Sequence, residues 1–324
     1  MNIMRHAARI FADEGLTNLV RRACSKLTRP SRREESIAVH QPLPFVVNDE
    51  IERAKSTFQD QLAEFRLRTK NAGWDGMEHF YWYHAVDVGN GLVTPGDYDF
   101  RTSLPSFGFP DDMKGMRVLD VGSATGFFAF EFERRGAEVV SVELPSLSTW
   151  DILEADRAQL DIDLMAWLQC DSPQEAYRRH LDGPFQFCHS MLGSRVNRCY
   201  SSIYDLTLAK VGGEKFDLIY AGDILLHLFS PLKALDVLSG LCRGTLLATT
   251  EGAFPVATLL PMMEFRGTIS QGKDRRTWWN LNNECLTEIL KRVGFRSVAP
   301  VGRFSGIISR VWWKFERDVL RAVK

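Results

Sequence analysis

The segment Val118-Leu119-Asp120-Val121-Gly122-Ser123-Ala124-Thr125-Gly126-Phe127-Phe128 constrains this chain more than any other. It reads as an apolar strand, a turn of small residues and the opening of a helix. Gly122 and Gly126 allow the backbone to turn tightly and a ligand to approach it. Seventeen residues after Gly126 comes Glu143, at the end of a second apolar run, Val139-Val140-Ser141-Val142. In open α/β sheets ligands bind beyond the carboxyl ends of the strands, near a switch in strand order. A carboxylate at such an end can accept both ribose hydroxyls of a nucleoside. The order is Asp-x-Gly-x-x-x-Gly, not Gly-x-Gly-x-x-Gly. A dinucleotide site leaves the helix N-terminus to a pyrophosphate, whereas Asp120 ahead of the turn suits a ligand that carries an ammonium group.

From Met116 onward short apolar runs alternate with helical patterns. Strands are expected at 116–121, 138–143, 198–203, 216–221, 244–250, 296–301 and 307–313. Helices are expected at 125–135, 149–168, 173–192, 231–241 and 282–293. That alternation implies an α/β fold, a mostly parallel sheet covered on both faces. Before it, residues 50–70 carry Ile51, Ala54, Phe58, Leu62 and Phe65 on one helical face, and an aromatic segment runs from Trp74 to Tyr83. The expected organisation is therefore a basic helix and linker (1–49), a helical and aromatic cap (50–110) and a ligand-binding domain (111–324).

With these residues in view, Asp120 to Gly126 resembles the first motif of the class I S-adenosylmethionine (SAM) methyltransferases, with Ala124 in place of a middle glycine. A methyl is tolerated there if that residue keeps a negative φ. Glu143 matches the family's ribose-binding acid. Ile203-Tyr204-Asp205 falls where the family reads adenine, and Phe216 to Gly222 looks like its fourth-strand motif. The resemblance covers roughly residues 74–313. It implies a Rossmann-like fold, SAM as cofactor, and a cofactor site of Asp120, Gly122, Ser123, Ala124, Gly126, Glu143, Ile203, Tyr204 and Gly222. Ile224 to Pro231, with Trp278-Trp279-Asn280, is similar to the branch that contains the tRNA wobble-uridine carboxymethyltransferases. Those enzymes use carboxy-SAM and hold its extra carboxylate partly with a Tyr. Here that position is Leu226, which offers no hydrogen bond. Plain SAM is the expectation.

Methyl transfer from a sulfonium needs alignment more than acid–base power, but a hydroxyl acceptor benefits from a base. The candidates are His84, in Trp82-Tyr83-His84, and His227 and Glu251, which follow the fourth and fifth strands. Each also has a structural reading, as a hydrogen-bonding histidine or a turn cap. Trp82, Tyr83, Arg266, Trp278, Trp279 and Asn280 are candidates for contacting the acceptor. The two later tryptophans serve equally well as pins for their loop. No His, Cys, Asp or Glu cluster has metal-ligand spacing, and no metal is expected.

Residues 1–33 carry eight Arg or Lys against two acids, while the whole chain has net charge −1, so the remainder is mildly acidic and has no general pull toward nucleic acid. Residues 2–28 have helical apolar spacing with a basic opposite face. This suits packing on the domain or a partner, or contact with an anionic membrane. Six scattered cysteines without a C-x-x-C pair, and no apolar run of roughly 20 residues, point to a cytoplasmic protein. The leading expectation is O-methylation of a small-molecule or glycan hydroxyl. The alternatives are a tRNA-modifying enzyme and a catalytically silent module that binds a partner.

Overall fold

Parallel strands covered on both faces are apolar along their whole length, and the central strands here follow that rule. β1 (Arg117–Val121) is buried at every position, and β2 (Glu138–Glu143) at all but its first. The computed structural model describes residues 49–251, 259–267 and 275–324. The expected basic helix at 2–28 and its linker lie outside the described residues.

The chain enters through α1 (Asp49–Asn71) and an irregular aromatic stretch to β1. Then come α2 (Phe127–Arg134), β2, α3 (Glu154–Leu168), α4 (Pro173–Tyr177), α5 (Gly183–Leu192), β3 (Asn197–Tyr200), β4 (Phe216–Ala221), α6 (Pro231–Leu241) and β5 (Cys242–Glu251). A short hairpin of β6 (Met263–Phe265) and β7 (Trp279–Leu281) precedes α7 (Asn283–Arg292), β8 (Ser297–Ile308) and β9 (Trp313–Val323). The main sheet has seven strands in the order β3-β2-β1-β4-β5-β9-β8. β3 to β5 run parallel, and β9 is antiparallel to both of its neighbours. The chain moves outward from β1 to β3, then returns to the other side of β1 as β4. The switch in strand order therefore lies between β1 and β4, where a crevice opens at the carboxyl ends.

Side chains alternate across the sheet with period two. Val118, Leu218 and Tyr220 point into one core; Leu119, Val121 and Ile219 point into the other. The first core is dominated by phenylalanine, and it is where the 50–110 segment docks. Phe65, Phe80, Trp82, Phe100 and Phe107 pack there with Phe128 and Phe132 of α2. Phe107 stands 4.3 Å from Phe304 of β8, centroid to centroid, and Phe128 stands 4.5 Å from Tyr220 of β4. The second core is aliphatic, with Leu235 and Leu238 of α6 against Leu286 and Leu290 of α7.

Three expectations change. The helix expected at 149–168 begins only at Glu154. The one expected at 173–192 is a helical run interrupted by a π-turn at Arg178–Asp182, between α4 and α5. The strands expected at 296–301 and 307–313 both fall on one long strand, β8, and its turn at residues 309–312, and the returning strand β9 was not expected. β9 escapes a reading by apolar pattern because charged residues, one of them the buried Asp318, interrupt its apolar alternation. Arg317 and Asp318 find partners on Asp223 and Arg303 that are distant in sequence.

Candidate active site

A cavity of about 510 Å³ opens at the carboxyl ends of β1, β2 and β4. Its floor is the turn after β1. Gly122 (φ 71°) needs its left-handed backbone, and a Cβ there would meet the Ile224 side chain at 2.8 Å. Ala124 does not keep a negative φ: it stands at 47°, in the region that favours glycine. Its amide donates to Glu143 Oε2 at 2.9 Å, while Glu143 Oε1 accepts the Leu144 amide at 2.9 Å. Each carboxylate oxygen keeps acceptor capacity toward the cavity that Glu143 lines. Gly126 (φ 88°) does not line the cavity; a Cβ there would meet the Phe130 and Phe185 rings at 2.7 Å. Its glycine serves the turn and the packing behind it.

Ser123 also faces away. Its hydroxyl pairs with Ser141 and with Arg198, whose guanidinium reaches the Ala124 carbonyl at 3.2 Å and stacks 4.0 Å over Phe185. Arg198 thus braces the turn from behind, a role invisible in the sequence because its partners are 57 to 75 residues away. Asp120, 1% exposed, lines the cavity with one carboxylate oxygen lacking any partner. Burial, with the Glu143 charge adding to it, lifts its pKa from 3.8 to about 7 against the pull of Arg198. Across the cavity, Ser202 caps the turn Ile203–Asp205. The Tyr204 hydroxyl donates to Asp151 Oδ2 at 2.5 Å and accepts the Ser230 amide at 3.0 Å. Ile203, Tyr204 and Gly222 all line the cavity.

The opposite wall comes from the 80–100 segment. In extended backbone successive side chains face opposite ways. Tyr81 and Tyr83 accordingly enter the cavity, while Trp82 turns into the core beside Phe65 and Phe187. Trp82 is therefore packing and not a contact residue. His84 lines the cavity, 4% exposed, and its amide donates to Thr125 Oγ1 at 3.0 Å, which ties this wall to the β1 turn. Burial lowers the His84 pKa to about 3. An imidazole that weakly basic is ill suited to take a proton at neutral pH.

The other expected acceptor-side residues divide. His227 lines the cavity with Nδ1 2.7 Å from the Arg276 carbonyl oxygen. Glu251 lies outside it and pairs with Arg266 at 3.6 Å, and Arg266 also pairs with Glu264 at 3.4 Å. Trp278 donates Nε1 to the Asp151 carbonyl at 2.7 Å, Trp279 donates to the Phe229 carbonyl at 3.2 Å, and Asn280 donates to Glu264 at 3.4 Å. These three pin β7 and do not line the cavity.

Sequence reading missed Asp223, which follows Gly222 at the end of β4. It stands at φ 48° and lines the cavity. Its carboxylate is held by Arg317 Nε at 2.8 Å and the Thr249 hydroxyl at 2.8 Å. An acid directly after a strand at the crevice was the available signal. His180, carried inward by the π-turn, gave none. Among the described residues five buried side-chain atoms lack a hydrogen-bond partner, and four of them belong to His84, Asp120 and His180, all lining this cavity. Buried polar groups are normally paired, so the cavity is built to receive polar groups. No three His, Cys, Asp or Glu among the described residues could hold a metal ion, and no described helix is long and apolar enough to cross a membrane.

The strand order, the β1 turn and the acid ending β2 define the class I SAM-dependent methyltransferase fold. No protein-family model matches the chain. The ubiquinone biosynthesis O-methyltransferase of Dinoroseobacter shibae is 24% identical over 274 residues, covering 80% of this chain and 91% of that one. Among solved structures, the N-terminal domain of EvdMO1 with S-adenosylhomocysteine bound is 14% identical with a TM-score of 0.45, covering 80% of this chain and 96% of that chain. The magnesium protoporphyrin IX methyltransferase of Synechocystis PCC 6803, also with S-adenosylhomocysteine, is 16% identical with a TM-score of 0.40, covering 65% and 75%.

Proposed function

We propose that this chain is a SAM-dependent methyltransferase that methylates a hydroxyl of a small molecule or glycan by direct transfer. The observation that carries the reading is the Asp120 carboxylate oxygen, buried, unpartnered and facing the cavity beside Glu143. An amino-acid ammonium fits the first acid and a ribose diol fits the second. When bound, SAM supplies an electrophilic methyl carbon on its sulfonium, which an acceptor oxygen attacks to leave S-adenosylhomocysteine. Asp223 lines the same cavity, its carboxylate fixed by Arg317 and Thr249, and is the carboxylate this reading assigns to the acceptor hydroxyl. The hydroxyl proton becomes strongly acidic as the carbon–oxygen bond forms, so an ordinary carboxylate suffices to accept it. The curated relative, named as an O-methyltransferase, supports the hydroxyl as acceptor.

The tRNA and carboxy-SAM reading has less support. Leu226 lines the cavity, and Arg310, a cation that could meet an extra carboxylate, is already paired with Asp97 at 2.8 Å.

Incubation with methyl-labelled SAM and a small-molecule cell extract tests the proposal. Alkali-stable label, slowed roughly a hundredfold in Asp223→Asn with SAM affinity unchanged, is expected. Alkali-labile label would mean a methyl ester, hence a carboxylate acceptor. Bound SAM without any transfer would leave the silent module.

A further inference from the structure

His180 occupies an unusual place. It sits on the π-turn Arg178–Asp182, and π-turns recur at functional sites. It is 5% exposed and lines the cavity beside Tyr81, and neither ring nitrogen has a hydrogen-bond partner. Its ring is held edge-on by aromatic neighbours, with centroids 4.9 Å from Tyr81, 5.5 Å from Trp150 and 5.8 Å from Trp167. Burial, helped by the Arg276 charge, lowers its pKa to about 3, so the ring is neutral at physiological pH. A neutral imidazole offers one N–H donor and one lone-pair acceptor.

The charged groups on this side are matched within the protein. Asp97 pairs with Arg310 at 2.8 Å, and Asp223 with Arg317 at 2.8 Å. Arg276, whose carbonyl faces His227 Nδ1, is engaged within the protein as well. Apart from Asp120, which the reading above gives to the ammonium of SAM, what is left unsatisfied along the cavity is neutral: both nitrogens of His180 and Nδ1 of His84. An acceptor bearing a carboxylate would bury a charge with no counter-charge awaiting it, at high cost. A carboxylate also only accepts hydrogen bonds, and an ammonium only donates them. A hydroxyl does both.

We propose that the acceptor is an uncharged ring-shaped polyol or diol, and that His180 is its specificity-determining residue, binding a hydroxyl other than the one methylated. The aromatic walls, Tyr81, Tyr83 and Tyr98 among them, suit the flat face of such a ring. This inference rests on the methyl-transfer reading above and narrows its substrate.

Two measurements test it. First, extract labelled by the full-length protein with methyl-labelled SAM is passed over strong anion and strong cation exchangers. Label in the flow-through of both is expected. Label retained on either exchanger beyond that of an enzyme-free control, in which the unreacted cationic SAM is held on the cation exchanger, overturns the neutral acceptor while leaving methyl transfer standing. No label anywhere, with SAM bound, overturns both readings together. Second, His180→Phe keeps the ring packing but removes both polar atoms. At subsaturating extract its labelling rate should fall at least tenfold, with SAM affinity by calorimetry within twofold of wild type. His180→Gln, which restores a donor and an acceptor, should recover part of the rate. An undiminished rate in His180→Phe would remove His180 from acceptor binding.

Discussion

Ala124 donates its backbone amide to the Glu143 carboxylate at 2.9 Å while standing at φ 47°, so one residue both accepts a strained backbone and fixes an acid that lines the cavity. The strain and the hydrogen bond belong together. The left-handed turn is what aims the amide of the β1 loop at the end of β2.

Replacing Glu143 by Ala removes the acceptor for two backbone amides and for the ribose hydroxyls. A charge-assisted hydrogen bond contributes about 1.5–3 kcal/mol, so SAM affinity should fall roughly ten- to a hundredfold. Calorimetry reads this directly. Unchanged affinity would move the cofactor elsewhere.

Ala124→Gly should stabilise the protein. A left-handed non-glycine residue costs about 1–2 kcal/mol, and glycine returns about 0.5–1 kcal/mol of that through its greater freedom in the unfolded chain. A net gain of up to about 1 kcal/mol in denaturant unfolding is expected, with Ala124→Val destabilising instead. A loss of stability in the glycine variant would mean that the turn is not strained.

SAM binding should expel a proton below neutral pH. Burial raises the Asp120 pKa from 3.8 to about 7. Its contribution to stability without cofactor is therefore full below about pH 4 and is lost as pH rises through 7, because the folded state holds the proton more tightly. An ammonium beside Asp120 favours the ionised carboxylate. Between pH 5 and 7, affinity should rise with pH, by at most tenfold per unit. Calorimetry at pH 6 in two buffers of different ionisation enthalpy should show release of close to one proton, absent in Asp120→Asn. Proton-neutral binding in the wild type would contradict the assignment of Asp120.

Plain SAM should outcompete carboxy-SAM. Leu226 supplies no donor, and Arg310 is committed to Asp97. Loss of one donor to a charged group corresponds to about 1.5–3 kcal/mol, or roughly ten- to a hundredfold. Leu226→Tyr should narrow the gap in a direct competition. Tighter binding of carboxy-SAM to the wild type would return tRNA to consideration.

The fold and the floor of the cavity were legible because they depend on neighbours in sequence. β2 and β4 were expected at their observed bounds, and α6 likewise, since a doubly buried parallel strand and an amphipathic helix display their periods locally. Asp120, Gly122 and Glu143 declared themselves by residue type and spacing. The acceptor side was different. Whether Trp82 or Tyr83 faced the cavity depended on which side of an extended segment met the Phe65 core. Glu251 was drawn to Arg266, and Trp278 to the Asp151 carbonyl, by loops that only the folded chain brings near. Asp223 became an anchored acid because Arg317 arrives from β9, 94 residues later. His180 became a cavity residue because a π-turn rotates it inward from a run that reads as ordinary helix. Sequence by itself determined the parallel strands, the turn and the two acids at the cavity, through local period and backbone chemistry. Tertiary structure alone decided the acceptor wall, because there each side chain's role is set by partners tens to hundreds of residues away.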